Sequence, residues 1–264
     1  AKELTLQIGV GSALTAVEGY GAPATGAAYR RARELCLEME DRKHLFPVLY
    51  GLANFCLTVG QYKEARQTAD ELVEFAEEQG EPGPLLAAQA CLGAIQTFMG
   101  FWSEARESFE KCIGLYDLTR DALLTSEYAE DPCVVAYCFN SFCTWNLGYP
   151  DQAIKLMNAA SLLSQQLRHA NSTAHALAMA PWLHCLLGGP KTTLIAAEVG
   201  LAFAKEKGLP YWKTIISIFE GWALSQAGKV DEAIARISAA IREFRGAGGR
   251  AANTIMQAVL AEAY

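Results

Sequence analysis

Glycines recurring on a forty-residue beat constrain this chain more than any other feature. Gly60, Gly100, Gly148, Gly188 and Gly228 stand 40, 48, 40 and 40 residues apart. Five residues after each comes a small side chain: Ala65, Ala105, Ala153, Thr193 and Ala233. Seven before each comes Ala53, Gly93, Ser141, Pro181 or Gly221, small again. At +9 the residues are Ala69, Phe109, Met157, Ala197 and Ile237; offsets +5, +9, +12 and +16 trace one stripe of a 3.6-residue helix. Glycine takes the left-handed conformation at no steric cost, so each landmark predicts a helix end. A second helix starts about two residues later. In four units an acid (Glu64, Glu104, Asp151 or Glu232) sits near its positive end, and Lys191 takes that place in the unit at Gly188.

Each unit is therefore a helix hairpin whose small residues let the two helices approach where they cross. A lone hairpin cannot bury its apolar face, and stacking supplies the core. The second helices run to Gly80, Gly208 and the Gly246–Gly249 cluster. An earlier hairpin fits before the first landmark: helix Glu3–Val17, a turn over Gly19-Tyr20-Gly21-Ala22-Pro23, then helix Thr25–Glu40. The expected fold is all-α, a right-handed solenoid forming a single domain over residues 1–264. Its hairpins fall at about 2–40, 43–80, 84–118, 131–168, 172–208 and 211–246, followed by a terminal helix at 250–264.

Composition supplies the core and excludes some functions. Apolar residues are 52% of the chain and charged residues 19%, which is not a disordered composition. A net charge of -7 argues against a protein that gains affinity by neutralising phosphates, so no nucleic-acid partner is expected. No apolar stretch reaches the roughly 20 residues of a membrane span; Ala174–Leu187 is broken by His175, Pro181 and His184. The eight cysteines lie in helical pattern with no Cys-x-x-Cys pair, and read as small buried residues of a reduced, cytoplasmic protein. The chain opens without methionine already in helical pattern and stops in pattern, as expected of a piece of a longer polypeptide.

Catalytic and cofactor motifs do not assemble, and the expectation is no enzyme, no cofactor and no metal. Gly188-Gly189-Pro190-Lys191-Thr192 lacks the first glycine and the preceding strand of a phosphate loop. Gly9-Val10-Gly11 lacks the third glycine of a dinucleotide fingerprint. His175 and His184 stand nine residues apart, on opposite faces of one helix. His184 is expected to pack against a neighbouring hairpin, and Glu220 to sit in a structural ion pair.

The small residues at two fixed offsets, with Tyr62, Phe101-Trp102 and Tyr149 after the glycines, resemble the tetratricopeptide (TPR) repeat, although the period exceeds the usual 34 residues. A narrower resemblance rests on Gly19-Tyr20-Gly21-Ala22-Pro23, Glu130-Asp131-Pro132, Leu147-Gly148-Tyr149-Pro150-Asp151-Gln152-Ala153, Ala180-Pro181-Trp182-Leu183-His184 and Glu220-Gly221-Trp222-Ala223-Leu224. In this order they resemble the C-terminal repeat region of large bacterial signalling proteins. There a nucleotide cyclase domain, and often a signalling-type ATPase domain, precede the repeats. Pro181 stands where that pattern has alanine, and Asn171 where it has proline. The resemblance implies a regulatory domain whose partner is a peptide, a protein segment or the parent's own catalytic domains.

The remaining stripe of each first helix locates a candidate site. Tyr50, Asn54, Phe98, Phe142, Trp145, Asn146, Trp182, Trp222 and Gln226 fall at -10, -6, -3 or -2 from the landmarks, and so share a face. In a TPR superhelix that face lines the concave groove. Rings supply contact area, and Asn or Gln amides satisfy a peptide backbone. Two readings of the face stand open, a ligand groove and a filled core. Beside peptide binding, the alternatives for function are a sensor holding a small apolar molecule and an oligomerisation spacer. The 48-residue interval adds an insert, Asp117–Glu130, expected to lie over the groove mouth. After it come an N-cap at Asp131 and Pro132 at the first helical position.

Overall fold

Proline opens six of the helices, at Pro23, Pro82, Pro132, Pro150, Pro190 and Pro210. Its missing amide costs nothing there, because the first turn has no intrahelical acceptor for it. In the computed structural model, residues 2–18 and 20–264 are described; of residues 16–18, 126 and 127 only the backbone is. Gly19, in the first expected turn, lies outside the described residues. Every regular element among them is a helix. All five landmark glycines take positive φ, between 71° and 90°, where one helix ends and the next begins. No helix among the described residues is long and apolar enough to cross a membrane.

The chain divides into two units. The first, Ala1–Leu115 with Arg245–Ala251, holds three hairpins: α1 (Lys2–Glu18) with α2 (Pro23–Glu38), α3 (Arg42–Thr58) with α4 (Tyr62–Gln79), and α5 (Pro82–Met99) with α6 (Trp102–Leu115). Leu4, Ala32, Leu35, Cys36 and Val48 form an apolar cluster across α1, α2 and α3, with Ile8 and Leu45 against it. Helical glycines act as sockets. The Tyr29 ring fills the space a Cβ would take at both Gly11 and Gly51, and Phe109 does the same at Gly93. Arginines of α2 tie to acids of α4, Arg30 to Glu64 and Arg33 to Glu71.

Segment 245–251 packs within this unit through backbone hydrogen bonds and close backbone contact, with Ala251 buried. The Arg250 and Ala251 amides both donate to the Thr58 carbonyl, at 2.7 and 3.0 Å. Gly248, at φ +83°, abuts Gly21 so closely that a Cβ at 248 would overlap the Gly21 carbonyl. Gly100 has the same φ with nothing near its missing Cβ. Gly100→Ala is therefore expected to cost about 1 kcal/mol, the left-handed backbone penalty alone. Gly248→Ala adds the overlap, about 2 kcal/mol more. Denaturant titration of both variants checks the difference; equal losses would reject the close approach.

The second unit, Tyr116–Phe244 with Ala252–Tyr264, begins with the insert, which folds as two short helices, α7 (Leu118–Asp121) and α8 (Leu124–Tyr128). Three hairpins follow: α9 (Pro132–Asn146) with α10 (Pro150–Leu167), α11 (Ala170–Leu186) with α12 (Pro190–Lys207), and α13 (Pro210–Gln226) with α14 (Val230–Gly246), of which Arg245 and Gly246 fall in the first unit; α15 (Asn253–Ala263) comes last. Asp131 caps α9 as expected, accepting from the Val134 amide at 2.9 Å. Glu220 pairs with Arg236, the ion pair expected of it. The -7 and +9 residues meet in this unit too: Ile237 occupies the Cβ space of Gly221.

Pro181 lies inside α11, and has no amide to offer the Leu177 carbonyl one turn earlier. α12 brings Gly200 against that carbonyl, and a Cβ there would stand 3.0 Å from the oxygen. Ile216 Cδ1 of α13 stands closer still to that missing Cβ, at 2.9 Å.

Candidate functional site

The face expected from the sequence divides between the two units. In the first, Tyr50, Asn54 and Phe98 are half-buried. The Asn54 side-chain amide donates to the Tyr50 carbonyl at 2.9 Å, which turns its oxygen away from its own helix. Asn146 in the second unit does the same, donating to the Phe142 carbonyl at 2.9 Å. The same i to i-4 bond thus recurs in the two units, each within its own helix.

In the second unit three rings from three first helices join. Phe142 of α9 is buried, and its centroid lies 4.9 Å from the ring of Trp182 on α11. Trp182, half-buried, stacks on Phe219 of α13 at 5.2 Å with the planes 19° apart. Offset stacking of this kind adds to the area buried. Among the described residues, no acceptor is bonded to the Trp182 indole N–H. Trp145 is half-buried and Gln226 exposed at the helix ends.

Trp222 occupies the same offset as Trp182, but its surroundings differ. It is 5% exposed, and its indole donates to the Glu262 carboxylate of α15 at 2.7 Å. One tryptophan is thus half-buried while its counterpart is packed and tied. Phe219 and Glu262 are residues that the sequence reading passed over. Glu262 had a signal, since it stands forty residues after Trp222 on the same beat.

A second constellation lies where the insert meets α9, α11 and α13. The Glu130 carboxylate receives the Asn171 amide at 3.2 Å on one oxygen and His175 Nδ1 at 2.5 Å on the other. Asn171 also donates to the Ala129 carbonyl at 3.0 Å and accepts from the Trp212 indole at 2.6 Å. The His175 ring lies 4.7 Å from that of Trp212 and meets the Phe139 ring edge-on at 5.7 Å. Burial, with the nearby Glu130 charge adding to it, pushes the Tyr211 hydroxyl up.

His184 is half-buried, and that burial lowers the affinity of its ring for a proton. Seven cysteines are buried and Cys185 half-buried, none of them in a disulfide; burial pushes Cys91 up to about 12. Among the described residues, no three His, Cys, Asp or Glu side chains converge as metal ligands.

No protein-family model matches the chain, and no curated protein sequence matches it. By structure it is similar to a Rap protein in complex with competence and sporulation factor, at 12% identity and a TM-score of 0.70, covering 99% of this chain and 74% of that one. It is also similar to the apo form of RapI, at 9% identity and a TM-score of 0.68, covering 92% and 84%. The TPR2AB domain of yeast Sti1 in its pHSP90 complex aligns over 98% of both chains at 13% identity, with a TM-score of 0.35. The two Rap likenesses show the fold, an all-α, TPR-like solenoid.

Proposed function

We propose that this chain is a non-catalytic regulatory repeat domain that binds a peptide or protein segment on the inner face of its first helices. The observation that carries the reading is the Phe142–Trp182–Phe219 stack, in which Trp182 is half-buried between two buried rings. The pre-oriented amide of Asn146 in the same unit supports it, because a bound segment needs partners for its backbone groups. The fold supports it as well: one neighbour of this fold carries a bound factor. That the partner is a cyclase or ATPase domain of a longer bacterial signalling polypeptide rests on the sequence resemblance alone. The cytoplasmic setting rests on the cysteines.

Calorimetric titration against a peptide library and a metabolite panel tests the reading. A saturable peptide signal is expected, with Trp182→Ala weakening the best peptide about thirtyfold, roughly 2 kcal/mol, as for a central aromatic anchor. Unchanged affinity in Trp182→Ala would remove this face as the site. A small-molecule signal without any peptide signal would instead make the domain a sensor.

A further inference from the structure

Both ends of the insert are fastened at one place. At its start, the Tyr116 hydroxyl donates to the Asp131 carboxylate at 2.9 Å; at its end, the Asp131 amide donates to Ser172 of α11 at 2.9 Å. Fourteen residues whose ends meet in this way form an Ω-loop. Helices of four and five residues, α7 and α8, are too short to persist unaided. The order of the insert therefore depends on its attachments, and at its C-terminal end these come from the first turns of α11. Asn171 holds Ala129 and Glu130, Ser172 holds Asp131, and His175 holds Glu130.

Two further observations mark this fastening as a device that can open. Ala129 is in the left-handed region at φ +62°, a conformation that costs a non-glycine residue energy and persists only where its surroundings enforce it. The enforcing group is Asn171, bonded to the Ala129 carbonyl. The His175 side chain is 6% exposed and that of Glu130 11%, while His175 Nε2 is buried with no hydrogen-bond partner. Opening the insert would return that nitrogen and the carboxylate to water, so the closed state is held by the knot against two local penalties.

We propose that the Glu130–Asn171–His175–Trp212 knot is a latch, and that the Asp117–Glu130 insert leaves the second unit as one body when the latch is broken. The hairpins stay folded as it goes, and the His175 and Trp212 rings are bared. The Asn171 departure from the expected proline thereby acquires a role, since proline has no amide to hold Ala129 or Glu130.

Hydrogen exchange and limited trypsin digestion of the whole chain test this. Arg120 lies in the insert with its side chain 47% exposed, so cleavage after it reports opening. Asn171→Ala and Glu130→Gln are each expected to raise exchange over 118–129 and cleavage at Arg120 at least about tenfold, the loss of one or two buried hydrogen bonds. Exchange in α9, α11 and α13 should stay within about twofold. His175→Gln should act in the same direction. Should that buried substitution prevent folding, the half-exposed Asn171 variant decides the matter alone. Unchanged insert exchange in Asn171→Ala would overturn the latch, and so would acceleration spread evenly through the three helices, which marks a purely structural knot.

Discussion

Trp222→Ala is expected to destabilise the protein by about 3–5 kcal/mol, the range for removing a buried tryptophan. For a chain of this size that is a fall of roughly 10 °C in melting temperature. The ring is 5% exposed and packed in α13, and the truncation also strips Glu262 of its indole partner. Trp222→Phe keeps a ring at the position and loses the donor with part of the buried area, so it should cost about 1–3 kcal/mol. Thermal and urea melts of the two variants separate these contributions. A near-normal melt of Trp222→Ala together with lost peptide binding would show that this tryptophan serves a groove. The comparison with Trp182 is what gives the experiment its force, because the two residues share an offset and differ in surroundings.

The second large effect concerns the socket at Gly221. Ile237→Ala is expected to cost about 3 kcal/mol as a fully buried truncation. Gly221→Ala alone should also destabilise, by about 1–2 kcal/mol, since its Cβ would lie 2.5 Å from Ile237 Cγ1. In the Ile237→Ala background the same change should reverse sign. The Ile237 overlap is then gone, only the Ala233 carbonyl oxygen stays close at 3.3 Å, and alanine exceeds glycine in helix propensity by about 1 kcal/mol. A four-variant urea cycle reads the coupling directly; additive effects would show that the socket is not what couples the two helices.

That socket was legible in the sequence as a size relation. Where -7 is glycine, +9 is Phe109 or Ile237; where -7 is alanine or proline, +9 is Ala69 or Ala197; Ser141 meets Met157. Volume is conserved across the crossing because interiors pack densely. The bends at the five glycines and the Asp131 cap were equally readable, being local backbone properties. The fate of the aromatic face was not. Trp182 meets Phe219 and Trp222 meets Glu262, and which ring is covered depends on a residue 37 or 40 positions further on. Asn171 read only as a departure from pattern, for its partners Ala129 and Trp212 lie 42 residues back and 41 ahead. Periodicity within one helix carries no information about contacts of that kind.

The bare Leu177 carbonyl ties the histories of two positions together. While Pro181 stands, a Cβ at residue 200 would crowd, at 3.0 Å, an oxygen its own helix leaves unclaimed, and it would meet Ile216 Cδ1 at 2.9 Å as well. An alanine at 181 would restore the amide and draw that oxygen back into α11. A larger side chain at 200 therefore needs room on two sides, from a change at 181 and from a shortening of Ile216, so the order of substitution governs which variants can be reached one step at a time.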